Sequence, residues 1–355
     1  MLFSTPFTVL LYALIFTARN VDVVSAADQL SAQDLAARYG LTTSTTLPFP
    51  SATQTSSDAQ KQIVSNWSLN KGRIQDGADN LAFVTDPFPN NSPTGIPTIA
   101  NTSGGPVLEV TYPKGSFSHD TGGSQLYSLW NTSDGSSFGS MMVSYEVAFN
   151  WDFDFVKGGK LPGLRGGLDS SGCSGGNEAT GQDCFSSRVM WRANAAGEVY
   201  AYIPSPNNLC SAKSIICNSD FGISISRGSF GFVRGQWNRV TMLVQLNNPP
   251  DVANGQILLY YNDLPAIAQQ NLQIRSSDSL VANGFYFSTF FGGSDASWAT
   301  PQTVNSYFRN IHLWGGSAPS NLTGEQVRNL ASHSASCNLL VTTFAVLSSA
   351  FAVYL

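Results

Sequence analysis

The chain has 355 residues, of which 12% are charged, and it contains 32 glycines and 17 prolines. Few charges and many turn-forming residues argue against a helical bundle or a coiled coil and favour many short strands joined by turns. The net charge of −5 with three histidines argues against nucleic acid as a partner, and a hydrophobic content of 42% is enough for a sizeable core, which excludes disorder for most of the chain.

Both ends of the chain have the pattern of processing signals. Residues 6–16 form an apolar run too short to span a bilayer comfortably, and small residues follow at 24–26, which predicts a secretory signal peptide over residues 1–26. Residues 339–355 are apolar to the last position and follow a spacer, residues 317–338, rich in small residues. This pattern is typical of a GPI-attachment signal, with a tail-anchored helix or a buried terminus as alternatives. We expect a secreted chain attached to the cell surface or cell wall, with no other membrane contact.

The segment after the predicted signal peptide is expected to contribute little to the hydrophobic core. Ser31 can cap a short helix that ends at Gly40. Residues 42–57 are rich in Ser, Thr and Pro and predict a linker or a strap across the domain. We therefore assign residues 27–57 to a short helix and linker, and residues 58–316 to one domain.

That domain is a succession of strand patterns. The clearest strand runs from Met141 to Phe155, where apolar side chains at every second position predict one face in the core and one face exposed to water. Further strand patterns occupy residues 107–112, 188–191, 199–203, 222–227, 238–246, 256–261, 284–291 and 307–314. Because no long amphipathic helices separate them, we expect antiparallel sheets packed face to face. The predicted fold is all-β, an antiparallel β-jelly roll (a two-sheet sandwich) with a short N-terminal helix.

Cysteine usage agrees with secretion. Cys337 would leave with the tail, and the four that remain allow three disulfide connectivities, of which we expect nearest-neighbour pairing, Cys173 with Cys184 and Cys210 with Cys217. Their spacing matches no zinc signature, so no metal is expected. Five sequons are compatible with a glycosylated exterior: Asn66, Asn90, Asn101, Asn131 and Asn321.

Residues 185–204 predict a β-hairpin with its turn at residues 193–197. A turn centred on Ala195 predicts the pairs Arg192 with Glu198, Met190 with Tyr200, Arg188 with Tyr202, and Ser186 with Pro204. Because side chains alternate between faces, one surface then carries a hydroxyl, guanidinium groups and two phenols. A register shift of one residue would separate these groups. The alternative is a plain cross-strand ion pair beside tyrosines that are common in strands.

A cationic, glycine-rich stretch precedes this hairpin and contains Lys157, Lys160 and Arg165. Between Phe155 and Arg192, five basic residues outnumber three acidic ones in a chain that is acidic overall. This local reversal of charge favours an anionic ligand.

Several spaced segments occur in an order that resembles polysaccharide lyase family 14, a β-jelly-roll family of alginate and related polyuronate lyases, and most of all its fungal members. They are KGGKLPGL (157–164), the insert with SGG between Cys173 and Cys184, CFSSRVMWR (184–192), GEVYAYIP (197–204) and SRGSFGFVRGQWNRV (226–240). The resemblance covers roughly residues 58–316. It places the family's catalytic lysine on Lys160, its Ser-x-Arg on Ser186 and Arg188, and its Tyr-x-Tyr on Tyr200 and Tyr202. The insert also suggests that Cys173 pairs with Cys184.

The implied reaction is β-elimination at a 4-O-linked uronic acid, without metal or organic cofactor. Arg188 and Lys160 are candidates to neutralise the substrate carboxylate, and Tyr202 or Tyr200 to act as base and acid, with Lys160 as the rival base. Ser186 is expected to position groups by hydrogen bonding. We expect an acidic polysaccharide as the partner of a monomer, bound in addition by Lys157, Arg165, Arg192 and His119.

Other assignments remain as alternatives. Asp152 and Asp154 suit either a calcium site or a solvated strand face, and His119 could be an accessory base or a polar loop residue. His312 is expected to be structural. Trp237, Trp298 and Trp314 suit sugar stacking or core packing. The alternative functions are a non-catalytic acidic-glycan-binding protein of the cell surface and, last, a glycoside hydrolase, because no closely spaced pair of glutamates lies on one strand.

Overall fold

The computed structural model describes residues 29–93, 104–130, 137–167, 172–206, 208–218 and 222–327. The predicted signal peptide, the predicted apolar tail with Cys337, and the sequons at Asn101 and Asn131 lie outside these residues. The other three sequon asparagines are exposed: Asn66, Asn90 and Asn321. Within the described ranges, no helix has the length and apolar character needed to cross a bilayer.

Most regular structure is β-strand. The α-helices of the described residues are α1 (Ala32–Arg38), α2 (Ser56–Asn66) and α3 (Ser118–Thr121). The strands are β1 (Thr43–Thr46), β2 (Leu81–Val84), β3 (Val107–Tyr112), β4 (Ser124–Leu129), β5 (Ser140–Phe149), β6 (Gly158–Gly167), β7 (Cys184–Arg192), β8 (Ala196–Tyr202), β9 (Ile215–Ile216), β10 (Ile223–Gly231), β11 (Trp237–Gln245), β12 (Val252–Ala253), β13 (Gly255–Tyr261), β14 (Leu264–Leu272), β15 (Ala282–Phe291), β16 (Val304–Gly316) and β17 (Glu325–Gln326).

Two antiparallel sheets form a sandwich. Sheet A has the order β14-β13-β11-β5-β16-β3-β2, with β1 paired to β16, and sheet B has the order β4-β15-β6-β7-β8-β10-β9. The inner faces of both sheets meet in one hydrophobic core, to which sheet A contributes Val143 and Tyr145 and sheet B contributes Val189 and Trp191. The predicted all-β jelly-roll sandwich with a short N-terminal helix is confirmed.

The strand β5 has the predicted alternation of core-facing side chains, but it is shorter than predicted, and its other face is buried as well, so the prediction of a solvent-exposed face was wrong. Alternate side chains from 143 to 149 enter the core, and the strand ends at Phe149. The chain then turns, and the Phe153 N–H donates to the Asn150 carbonyl at 3.2 Å. The prediction of a strand to Phe155 was therefore wrong. Phe153 and Phe155 still lie in the core, so the apolar spacing continues through a turn.

The glycine-rich stretch around Lys160 forms a central strand of sheet B, β6, which the sequence did not predict as a strand. Glycines and a proline normally weaken strands. Here Gly163 allows close backbone contact, since a Cβ at this position would lie 2.0 Å from the Ser187 carbonyl oxygen. The pairing with β7 shifts between Leu161 and Gly163, which is a β-bulge beside Pro162.

The N-terminal segment lies against the outer face of sheet A. The Ser31 hydroxyl accepts from the Asp34 N–H at 3.1 Å and caps α1. Leu35 and Ala36 of that helix pack with Trp314 of β16. The Ser/Thr/Pro-rich segment that follows contains β1, which pairs with the last part of β16.

Both expected disulfides are present. Cys173 bonds to Cys184 with a Cα–Cα distance of 5.9 Å, and Cys210 bonds to Cys217 with a Cα–Cα distance of 5.5 Å. Nearest-neighbour pairing is therefore confirmed. The first disulfide closes a loop at the start of β7, beside the residues singled out from the sequence.

Candidate active site

The predicted hairpin exists as β7 and β8, but its register differs by two residues from the prediction. The observed partners are Ser186 with Tyr202, Arg188 with Tyr200, and Met190 with Glu198. These pairs centre the turn on Asn194 rather than on Ala195, and both residues have positive φ, 58° and 62°. Because the shift is an even number of residues, every side chain keeps its predicted face.

The outer face of sheet B gathers most of the predicted residues, and we call it the site face. The Lys160 ammonium nitrogen lies 3.9 Å from the centre of the Tyr200 ring and 2.9 Å from the Met190 sulfur. Ser186, Arg188, Arg192 and Tyr202 lie on the same face. Neighbours at alternate positions, such as Val189 and Val199, point into the core instead. The two-residue alternation therefore places the candidate catalytic side chains on the outer face of the sheet and the core side chains on its inner face.

Electrostatics on the site face act on Lys160 and Tyr200 in opposite directions. Burial lowers the pKa of the Lys160 ammonium well below its usual range, and the positive charges of Arg188 and Arg192 lower it further. Burial raises the pKa of the Tyr200 hydroxyl, while the two arginines oppose this rise. Tyr200 thus keeps its proton to a higher pH than an ordinary tyrosine, and the neutral amine of Lys160 forms at a lower pH than that of an ordinary lysine.

Arg188 lies almost fully buried in the middle of the site face. Its Nη1 donates to the Ser288 hydroxyl at 3.1 Å, and its guanidinium carbon lies 4.4 Å from the centre of the Tyr286 ring and 5.8 Å from that of Tyr202. Within the described residues, the Arg188 Nε has no hydrogen-bond acceptor and the guanidinium has no carboxylate partner. A buried N–H without an acceptor is costly, so this donor is suited to a ligand.

Glu198 anchors the other side of the site face. It is 0% exposed, and its Oε1 accepts from the Arg192 Nε at 2.8 Å. Its Oε2 accepts from the Ser224 hydroxyl and from the Arg227 Nε, each at 2.6 Å. The ion pair of Arg192 with Glu198 thus occurs although Met190, and not Arg192, is the direct strand partner of Glu198.

Ser186 and Tyr202 contact the disulfide loop that follows residue 172. The Ser186 hydroxyl is buried and donates to the Cys173 carbonyl at 2.6 Å. The Gly176 N–H donates to the Tyr202 hydroxyl at 3.3 Å. The disulfide from Cys173 to Cys184 therefore holds this loop against the Tyr202 end of the site face.

Arg165 contacts the aromatic rings beside Arg188, whereas Lys157 contacts the segment that follows β15. The guanidinium of the buried Arg165 lies 5.1 Å from the centre of the Tyr127 ring, and Tyr127 stacks on Tyr286 with centroids 4.4 Å apart. Exposed Lys157 directly precedes β6, and its Nζ is 2.6 Å from the Ser297 hydroxyl and 5.8 Å from the centre of the Trp298 ring.

His119 lies on α3, beside the end of β15. Its ring centroid is 6.0 Å from that of Phe290, the strand partner of Lys160, and its Nδ1 is 3.6 Å from a carboxylate oxygen of Asp76. The histidine is exposed, so it borders the site face without entering its buried centre.

Sequence reasoning missed a polar group on β4 and β15. The Gln125 side-chain carbonyl accepts from the Tyr286 hydroxyl at 2.9 Å and from the Ser288 hydroxyl at 3.3 Å. Its Nε2 donates to Asp76 at 3.0 Å, which links Arg188 through Ser288 to the surface near α3. The signal in the sequence is Ser288, which stands among the aromatic residues of β15. Because apolar residues occupy both faces of that strand, their alternation does not indicate a polar face.

The remaining candidates serve local structure. The Asp152 carboxylate accepts from Gln302 and the Asp154 carboxylate from the Val156 N–H, both at 2.9 Å, in the turn after β5. Across the described ranges, no group of three His, Cys, Asp or Glu side chains is arranged to hold a metal ion. On the outer face of sheet A, Trp314 is buried and stacks on His312 with centroids 3.8 Å apart.

The sequence profile described as Polysaccharide lyase 14 matches residues 100–311. The chain belongs to polysaccharide lyase family 14. A crystal structure of the marine PL-14 alginate lyase from Aplysia kurodai is similar to it, with 32% sequence identity and a TM-score of 0.62 over 77% of this chain and 100% of that chain. Comparison with the curated proteins found no match.

Two more distant structures share the fold of this family 14 member. Alginate lyase vAL-1 from a Chlorella virus has 21% identity and a TM-score of 0.52 over 75% of this chain and 99% of that chain. A mutant of the alginate lyase Aly36B, in complex with alginate trisaccharide, has 18% identity and a TM-score of 0.54 over 77% of this chain and 97% of that chain. As a family 14 member, the chain is a polysaccharide lyase and, at the level of the class, a lyase of polyuronates.

Proposed function

We propose that this chain is a secreted lyase that cleaves a 4-O-linked uronic acid polysaccharide, of the alginate or glucuronan type, by β-elimination. One observation carries the proposal: the Lys160 ammonium lies over the Tyr200 ring, on the same face as the buried Arg188, whose Nε lacks an acceptor among the described residues. These are the groups that the reaction needs.

The first requirement is to neutralise the substrate carboxylate. In β-elimination a base removes the proton from C5, the bond from C4 to O4 breaks, a double bond forms between C4 and C5, and O4 leaves with a proton. The anionic C6 carboxylate makes the C5 proton poorly acidic, so neutralising it is the largest electrostatic demand. Arg188 meets this demand, because a buried guanidinium forms strong, charge-assisted hydrogen bonds with a carboxylate.

The second requirement is a base and an acid. Sequence alone favoured a tyrosine in both roles, with Lys160 as the rival base. The lowered pKa of Lys160 and the raised pKa of Tyr200 favour a division of roles. Lys160 accepts the C5 proton through its neutral amine, and Tyr200 donates a proton to O4. Ser186 keeps its expected positioning role, whereas Tyr202, a candidate base and acid in the sequence, becomes a positioning residue here; both form hydrogen bonds to the disulfide loop.

The surrounding cations would bind the polymer. Arg165 lies next to the stacked tyrosines, Lys157 and His119 border the strand ends, and Arg192 borders Tyr200. The alginate lyase from Aplysia kurodai, at 32% identity, supports a polyuronate of the alginate type. Glucuronan presents the same carboxylate next to C5, so it stays in the proposal.

We also propose that the enzyme is secreted and held at the cell surface as a monomer. Residues 1–26 would direct export, and residues 339–355 would be exchanged for a GPI anchor. The two disulfides support an oxidising compartment.

The test is product analysis on a panel of polyuronates. The purified chain, expressed without residues 1–26 and 339–355, is mixed with alginate, glucuronan and defined oligouronates over a broad pH range. We expect a new ultraviolet chromophore and fragments one water lighter than hydrolysis products. Fragments without a double bond would indicate a hydrolase, and binding without fragments would indicate a glycan-binding protein. Either outcome contradicts the proposal.

A further inference from the structure

Two arginines converge on one buried carboxylate beside Tyr200. Arg192 from β7 binds Oε1 of Glu198, and Arg227 from β10 binds Oε2, which also accepts from Ser224. The Arg192 guanidinium carbon lies 5.8 Å from the centre of the Tyr200 ring. The head of Arg188, by contrast, reaches across β6 to Ser288 on β15. The site face therefore has two separate cationic positions, toward opposite edges of sheet B.

Glu198 and the two arginines that bind it carry a net positive charge. One arginine and the Ser224 hydroxyl already satisfy a buried carboxylate, so the second arginine leaves an excess positive charge. The Arg227 side chain is 40% exposed and that of Arg192 is 14% exposed, while Glu198 is fully buried. Among the described residues Arg227 donates only through Nε and Nη2, although a guanidinium has five N–H groups. The unused donors are available to an anion.

We propose that Arg192 and Arg227, held in place by Glu198, form a second carboxylate subsite that binds the uronate adjacent to the one being cleaved. This inference rests on the proposed function. The enzyme then favours runs of consecutive uronates over polymers in which uronates alternate with neutral sugars. Glu198 is a positioning residue, since it orients both guanidinium groups and does not itself touch the polymer.

The test compares Arg227→Gln with the wild type on two defined oligouronates. One has consecutive uronates, and in the other the residue next to the cleaved one is carboxyl-reduced. On the first substrate we expect KM to rise roughly tenfold or more with kcat little changed, since one charge-assisted contact made equally in the ground state and the transition state is lost. On the second substrate the variant and the wild type should have the same KM. Arg227→Lys, which keeps the charge, should recover part of the loss.

The matched control is Lys61→Gln, which removes the same charge from α2. Lys61 is 73% exposed and paired with Asp58, on a helix that packs against sheet A, and its loss should leave KM unchanged on both substrates. Equal KM changes on both substrates, or none, for Arg227→Gln would overturn the subsite. Calorimetric binding of the same two oligomers tests it independently of turnover. A wild type that forms no unsaturated product counts against the proposed function alone.

Discussion

Sheets A and B both carry cations on their outer faces but pair them in different ways. On sheet A, Arg309 and Arg239 bind Glu146 at 2.7 and 2.8 Å, and Asp86 and Asp263 complete the pairs at 2.6 and 2.9 Å. On the site face of sheet B, Lys160 and Arg188 contact a sulfur, a hydroxyl and aromatic rings instead. Over the part of the chain that the structure describes, neither of them binds a carboxylate.

The two sheets differ in whether a carboxylate neutralises the cation, and not in whether the cation lies over an aromatic ring. Arg309 also lies over an aromatic ring, 4.1 Å from that of Trp237, yet its charge is neutralised by two acids. Ring faces attract a cation and fix its position, but they do not cancel its charge. Cations that protein carboxylates balance fully hold the fold together. Arg188, which has no such partner, and the arginine pair on Glu198, whose charge exceeds that of one carboxylate, are available to an anionic substrate.

The largest expected effect comes from breaking the sheet A cluster. Arg309→Met removes the ion-pair partner of Asp86 and leaves Glu146 with Arg239 alone, and breaking a buried ion pair by removing one partner is strongly destabilising. We expect the free energy of unfolding to fall by about 3–5 kcal/mol, measured by urea denaturation. The kcat of the folded fraction should stay near that of the wild type. A large loss of kcat with unchanged stability would reverse the assignment of the two regions.

The same substitution on the site face should act on turnover. Arg188→Met removes the group that neutralises the substrate carboxylate, so kcat/KM should fall about 10²–10³-fold, in line with the loss of a donor that stabilises transition-state charge. Because no protein carboxylate loses its partner, the free energy of unfolding should change far less than in Arg309→Met. Steady-state kinetics and urea denaturation on both variants give the comparison.

The pH dependence of stability and of kcat/KM tests the role of Lys160 as the base. Burial lowers its folded-state pKa, so between that pKa and the ordinary lysine value of about 10.4 the unfolded chain holds more protons. Stability contributed by this group therefore rises with pH across that window and is lost as the pH falls toward the folded pKa. kcat/KM should rise with pH through the same folded pKa, and Lys160→Met should remove both trends. A wild-type kcat/KM that falls from neutral pH upward would contradict Lys160 as the base.

The smallest expected effect comes from removing the Ser288 hydroxyl, which binds Arg188. Ser288→Ala removes the hydroxyl that accepts from Nη1, which is worth about 1 kcal/mol and so about fivefold in kcat/KM. Ser279→Ala, on an exposed loop, is the control and should change nothing measurable. If both variants behave like the wild type, Arg188 is held by its ring contacts alone.

Sequence reasoning succeeded where one periodicity dominated. The period of two in β7 and β8 placed Arg188 and Tyr200 on one surface even though the register was wrong by two residues. It failed at β6, where close backbone packing requires glycine at a strand position that favours larger residues elsewhere. It also missed Gln125 and Ser288, because their contacts join strands far apart in sequence. Such contacts depend on sheet order, which periodicity does not encode.

The most direct measurement compares elimination from a polyuronate with elimination from its methyl ester. Esterification makes the C5 proton intrinsically more acidic, but it removes the negative charge that Arg188 is proposed to bind. If unpaired cations recognise the substrate, the free acid is cleaved and the ester is cleaved far more slowly. An ester cleaved as fast as the acid, or faster, would show that the reaction does not use these cations for neutralisation.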